Sequence, residues 1–328
     1  MRRMIDFRFV LMVAALAAGL APFGCEKDSG GNSDADTDAD TDADTDSDTD
    51  ADTDSDTDTD ADTDVDTDTD SDDCTEASKY IYVVGQSNHL FRFDPTQSTP
   101  ETAFIHVGDG ALTCSPGQPF SMGVGRDGFA YILYVESGLL GYNCVGINKV
   151  SIETGECLGL TPFSCGASGF STFGMGYVTD SAETTDEKLY IGNSEAAAGF
   201  ATLDVSTGAV TPIGTLAAQA PEFTGNSLGE LWGFFPQAAS PTVAQIDKTN
   251  GSFIYSTVVD LTPPGLGNTA WAFAHWGGAY YIFYYNSTVD SSTNVYKFED
   301  GVMTTHLANT GAIIVGAGVS TCAPIVIE

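Results

Sequence analysis

Met122-Gly123-Val124-Gly125-Arg126-Asp127-Gly128-Phe129-Ala130-Tyr131-Ile132-Leu133 contains a strand of small residues, a tight turn and a strand with an aromatic at its centre. Glycine in the turn supplies the positive φ that a short hairpin needs. The aromatic strand recurs as Tyr80-Ile81-Tyr82-Val83-Val84, Lys188-Leu189-Tyr190-Ile191, Glu230-Leu231-Trp232-Gly233-Phe234 and Ala279-Tyr280-Tyr281-Ile282-Phe283. Tyr82, Tyr131, Tyr190, Trp232 and Tyr281 are therefore spaced by 49, 59, 42 and 49 residues, a repeat of about fifty. Residues 79 to 328 show no helical period and many β-branched or aromatic runs cut by Gly, Asn and Asp, so the repeat is all-β.

Each aromatic strand is followed by another that closes on an apolar residue, a polar residue and a turn: Phe93-Asp94-Pro95, Val150-Ser151, Leu203-Asp204, Ile246-Asp247 and Phe298-Glu299. Glu153-Thr154-Gly155, Ser206-Thr207-Gly208, Thr249-Asn250-Gly251 and Glu299-Asp300-Gly301 mark the hairpins into an outer strand. The small-residue strand recurs as Gly174-Met175-Gly176-Tyr177 and Ala272-Phe273-Ala274, and small residues let neighbouring backbones approach at a crowded axis. Four strands per fifty residues, five times, predicts a five-bladed β-propeller over residues 74–328. The first unit has no inner strand, whereas Ile313-Ile314-Val315-Gly316-Ala317-Gly318 is an inner strand without the rest. The two ends are expected to complete one blade and so remove an open sheet edge. The Ile246-to-Gly251 turn resembles the outer turn of pyrroloquinoline-quinone-type propeller repeats. No functional residue carries over from that likeness.

Cys74 and Cys322 fall at the join, where a disulfide clasp over so long a loop would contribute about 4 to 5 kcal/mol in the loop-entropy treatment. Cys114, Cys144, Cys157 and Cys165 cluster in the second unit. Cys144 and Cys165 are expected to face each other at the upper end and Cys157 to lie at the other, with connectivity open. An even set of six, with no CxxC spacing, reads as structural bridges in an exported chain rather than a zinc site.

Arg2, Arg3 and Arg8 precede an apolar run from Phe9 to Leu20, the h-region of a signal peptide over residues 1–24. Leu20-Ala21-Pro22-Phe23-Gly24-Cys25 resembles the lipobox of bacterial lipoproteins, which implies a lipid anchor on Cys25 as the membrane contact. Glu26 favours the outer membrane over inner-membrane retention. Cell-surface exposure is then expected, and simple secretion is the alternative.

Residues 25–73 form the linker. From Asp34 to Asp72 every even position is Asp, and Asp73 makes 21. Like-charge repulsion and the lack of any apolar face predict a disordered tether, roughly 40 Å across as a coil and about 160 Å when stretched. The tract resembles the aspartate-repeat stalks of lipoproteins from delta-proteobacteria of the myxobacterial type and the serine-aspartate stalks of Gram-positive adhesins. Alternating Asp also resembles the start of an EF-hand loop, but the turn Gly and closing Glu are missing, so a solvated spacer with at most weak calcium association is expected there. No other cofactor is expected.

The chain carries a formal charge of −35, and residues 74–328 alone hold 22 acids against 7 bases. Nucleic acid is therefore excluded as an expected partner, since phosphate binding needs clustered cations. His89, His106 and His306 read as strand residues. Asp127, Asp180, Asp186 and Glu187 read as solvated turn acids, and the inner strands offer almost no carboxylate. No catalytic residue is assigned. Trp271, His275, Trp276, Tyr284 and Tyr285 form the aromatic group expected to bind a ligand. The reading is a non-catalytic recognition lipoprotein for a protein or glycan. A carbohydrate-active enzyme (glycoside hydrolase or lyase) and a structural envelope protein are the alternatives.

Overall fold

The structure is a computed structural model that describes residues 74–326, apart from 140, 195–198, 239 and 262–268. The signal peptide, the Cys25 anchor and the acidic linker, with its calcium association, lie outside the described residues.

Five four-stranded antiparallel sheets make the ring. Blade 1 contributes β1 (Ile81–Gly85), β2 (Leu90–Phe93) and β3 (Phe104–His106). Blade 2 is β4 (Gln118–Val124), β5 (Phe129–Gly138), β6 (Gly141–Ser151) and β7 (Cys157–Leu160). Blade 3 is β8 (Phe173–Thr179), β9 (Glu187–Asn193), β10 (Gly199–Leu203) and β11 (Val210–Thr215). Blade 4 is β12 (Glu222–Gly225), β13 (Leu231–Phe235), β14 (Thr242–Ile246) and β15 (Phe253–Val258). Blade 5 is β16 (Thr269–Trp276), β17 (Ala279–Asn286), β18 (Asn294–Glu299) and β19 (Val302–Leu307). The last strand, β20 (Ile314–Val319), returns to pair with β1, Val83 opposite Ala317, and supplies the missing inner strand of blade 1. The propeller is therefore the five-bladed, C-terminally closed one that the repeat predicts.

Strand alternation builds the core. Ile81 and Val83 face blade 5 while Tyr82 and Val84 face blade 2, so both faces of a strand are buried and the run reads as continuously apolar. Five hydrophobic clusters result, one at each junction between neighbouring blades. Each fully buried large side chain contributes about 1.5 to 3 kcal/mol to holding its junction.

The inner strands β4, β8, β12, β16 and β20 pack on one another around the axis. A Cβ on Gly176 would lie 2.7 Å from the backbone of Phe223, so glycine is required for that approach. Turns from a blade's first to second strand and from its third to fourth define the lower face. Turns from second to third, and the links to the next blade, define the upper face. In the lower turns Gly155, Gly208, Gly251 and Gly301 all have φ between 72° and 80°.

Cys74 is bonded to Cys322, and Cys144 to Cys165. Cys157, expected at the far end of blade 2 from the Cys114 loop, is bonded to Cys114. The outer edge of each twisted blade slants so that its last residues meet the next blade's lower turn. Thus a Cβ on Gly155 would lie 3.0 Å from Val107 O, and one on Gly251 3.0 Å from Thr215 O. The third disulfide fastens the first of these contacts.

Candidate functional site

Alternation along β16 divides the expected aromatic group. Trp271 and His275 belong to the blade 4 side, with Phe273 between them in the blade 4–5 core, whereas Trp276 packs on the blade 1 side. Trp276 Nε1 donates to Lys79 O at 2.9 Å, which places this indole as a brace between blades. Trp271 pairs with Tyr284 and His275 with Tyr280, so Trp271 and His275 sit near opposite ends of the hairpin, about 13 Å apart along the strand. Tyr284 is buried in the blade 4–5 core, and Tyr285, opposite Ala270, is half-buried. The five residues do not converge on one pocket.

His275 is only 4% exposed. Burial pulls its pKa down to about 4, against a weaker opposing pull from Glu230, so the imidazole is neutral at pH 7. Its backbone N–H donates to Thr224 Oγ1 at 2.9 Å, tying β16 to β12, and its ring lies 5.3 Å from that of Tyr280. His89 immediately precedes β2, while His106 ends β3 and His306 lies in β19.

The expectation that the inner strands hold almost no carboxylate overlooks Glu222, the first residue of β12. Ser121 Oγ on β4 donates to Glu222 Oε2 at 2.9 Å, and the Met175 N–H on β8 donates to the same carboxyl. Burial pushes the Glu222 pKa well up, more than those donors pull it down. The group is a buried carboxyl near the axis of the ring that joins blades 2, 3 and 4. Pro221-Glu222-Phe223 carries no glycine and no alternation, so nothing in the chain flags it.

Glu187 is also not a solvated turn acid. It opens β9, receives the Arg126 N–H on Oε1 at 2.8 Å and the Thr321 hydroxyl on Oε2 at 2.8 Å, and so joins blades 1, 2 and 3 at the lower mouth. Burial raises its pKa, in opposition to those donors. Asp127 accepts from Tyr131 Oη at 2.7 Å and from Lys149 Nζ at 3.0 Å. Asp180 is held by Lys188, with Nζ 2.6 Å from each of its oxygens. A cleft of about 420 Å³ opens here beside the Cys74–Cys322 bond, lined by Arg126, Glu183, Thr184, Thr185, Ser227 and Thr321. Among the described residues, no group of three or more His, Cys, Asp or Glu is placed to hold a metal ion.

The upper face carries an arm that the repeat does not predict. β5 and β6 run 10 and 11 residues and continue past the other strands of blade 2 as a two-stranded hairpin, with Glu136 opposite Asn143 and Ser137 opposite Tyr142. Cys144–Cys165 fastens its base, and the Tyr142 ring contacts Phe120 at 5.7 Å. At its tip Leu139 is 100% exposed and Tyr142 50%.

No family model matches the chain, and no curated protein matches it at a significant level. Solved propeller-containing structures similar to it include hydrazine synthase from Kuenenia stuttgartiensis, with 12% identity and a TM-score of 0.35 over 71% of this chain and 67% of that one. BamB from Moraxella catarrhalis gives 15% identity and a TM-score of 0.28, covering 69% of this chain and 60% of that one. TolB from Acinetobacter baumannii gives 13% and 0.39, covering 70% and 53%. The chain thus spans less than two thirds of the BamB and TolB structures, and likenesses this remote carry no argument about activity.

Proposed function

We propose that this protein is an outer-membrane lipoprotein, anchored through Cys25 and exposed at the cell surface. Its propeller recognises a protein or glycan ligand without converting it. The observation that carries the reading is the use of the central carboxyls. Glu222 and Glu187, the acids nearest the axis and its lower mouth, each bind donors from two other blades, so their oxygens serve ring assembly. A glycosidase or lyase needs paired carboxyls free to reach the scissile bond. Three disulfides support a chain that folds in an oxidising compartment.

The test has two parts. Labelled palmitate is expected in the full chain and lost on Cys25→Ser, with the propeller removable from intact cells by protease. The mature Cys25→Ser chain is then unfolded thermally against oligosaccharides, peptidoglycan fragments and envelope proteins. A saturable rise in Tm supports recognition, because a ligand that binds only the folded state stabilises it. Abundant surface protein with no shift from any of these would favour the structural alternative.

A further inference from the structure

The two faces of the ring differ in charge. All seven cations of residues 74–328 lie in or within three residues of a lower turn: Lys79, Arg92, Arg126, Lys149, Lys188, Lys248 and Lys297. Cys74, where the chain enters the propeller, is on that face. Among the described residues, the upper connections contain no Lys or Arg. What charge the upper face shows is acidic, at exposed Glu136 and Asp260 and half-buried Asp290. The disulfide-braced arm rises from this face, with Leu139 and Tyr142 at its tip and Val289 of blade 5 also exposed.

We propose that the blade 2 arm, through Leu139 and Tyr142, docks a partner protein whose contact surface has an apolar pocket rimmed by Lys or Arg. This deepens the recognition reading and rests on it. A fully exposed Leu on a fixed hairpin gains on the order of tenfold in affinity or more when buried, and the brace at Cys144 removes much of the ordering cost. Glu136–Gly138 and Gly141–Asn143 pair only with each other, so the outer backbone groups of the arm remain open to a polypeptide. Charge argues against the other occupants. An anionic bilayer and a second copy of this acidic face would both be repelled. On the arm itself a glycan would find only the Tyr142 ring to stack on.

The test uses the full chain in cells with photoreactive benzoylphenylalanine in place of Leu139 or, on the lower face, exposed Thr154. Both sites are exposed, so neither substitution threatens folding. Position 139 is expected to give one discrete protein adduct whose cross-linked peptide has Lys or Arg beside apolar residues. Glu136→Lys should cut its yield at least fivefold, and position 154 should give none. No adduct at 139, an adduct of twice the chain's mass, a yield indifferent to Glu136→Lys, or Leu139-dependent sedimentation with phosphatidylethanolamine–phosphatidylglycerol vesicles would overturn the proposal. An adduct at 154 but not at 139, or none at either position, would remove this proposal and leave the recognition reading to its own Tm test.

Discussion

Ser121 and Glu222 lie on blades that are not neighbours, yet the Ser121 hydroxyl reaches the Glu222 carboxyl at 2.9 Å. The bond skips blade 3, which adds its own donor from the Met175 backbone. A ring of five blades is narrow enough for such a bond to cross its axis, and the carboxyl accepts from both partners there.

The pH dependence of stability should report this acid. Glu222 has its folded pKa raised above the usual 4.5, so the native state holds a proton that the unfolded state has lost. Stability is then complete below about pH 4.5 and falls as pH rises toward the folded value. Glu222→Gln removes that dependence. The Tm of wild type should fall relative to the variant as pH rises above about 4.5; parallel curves would contradict a raised pKa for Glu222.

His275 acts in the opposite direction. Its folded pKa of about 4 lies below the usual 6.5, so the unfolded state binds the extra proton in that window. Stability should decline as pH falls from about 6.5 to about 4. In His275→Leu that part of the decline should vanish, as followed by urea unfolding at several pH values.

Inner-strand approach can be tested by one methyl group. Gly176→Ala forces a Cβ to 2.7 Å from Phe223 backbone and should cost several kcal/mol, on the order of an overpacked core. Gly128→Ala, where φ is 77° and the space is open, should cost only about 1 to 2 kcal/mol, from the left-handed backbone. Equal losses in denaturant unfolding would contradict the close packing of β8 on β12.

The clasp closes a loop with a sequence separation of 248 residues. Replacing both Cys74 and Cys322 by Ser should remove up to about 5 kcal/mol, with β20 exchanging its amide hydrogens first. Protection unchanged at Val315 to Val319 would mean that strand pairing alone closes the ring.

The ring was legible because each blade repeats the same local chemistry. Small residues lie on the axis, an aromatic such as Tyr131 or Tyr190 occupies the second strand, and Gly155 or Gly208 makes the turn. Closure by β20 followed from a unit that begins at Tyr80 without an inner strand. The candidate site was less legible for equally physical reasons. Trp271 and Trp276 are near in sequence but an odd number of residues apart, and alternation sends them to opposite faces of β16. Glu222 is one acid in a strand with no pattern, and its role depends on Ser121, 101 residues away. The arm is longer than the repeat, and only pairing shows that β5 continues past Leu133 to Gly138.

The central claim, recognition without conversion, is tested most directly by mass spectrometry of any ligand that raises the Tm, after long incubation with wild type, Glu222→Gln and Glu187→Gln. The account predicts that the ligand is recovered chemically intact and that the Gln variants bind it as wild type does. A converted ligand, with conversion lost in either variant, would contradict it and make the ring an enzyme.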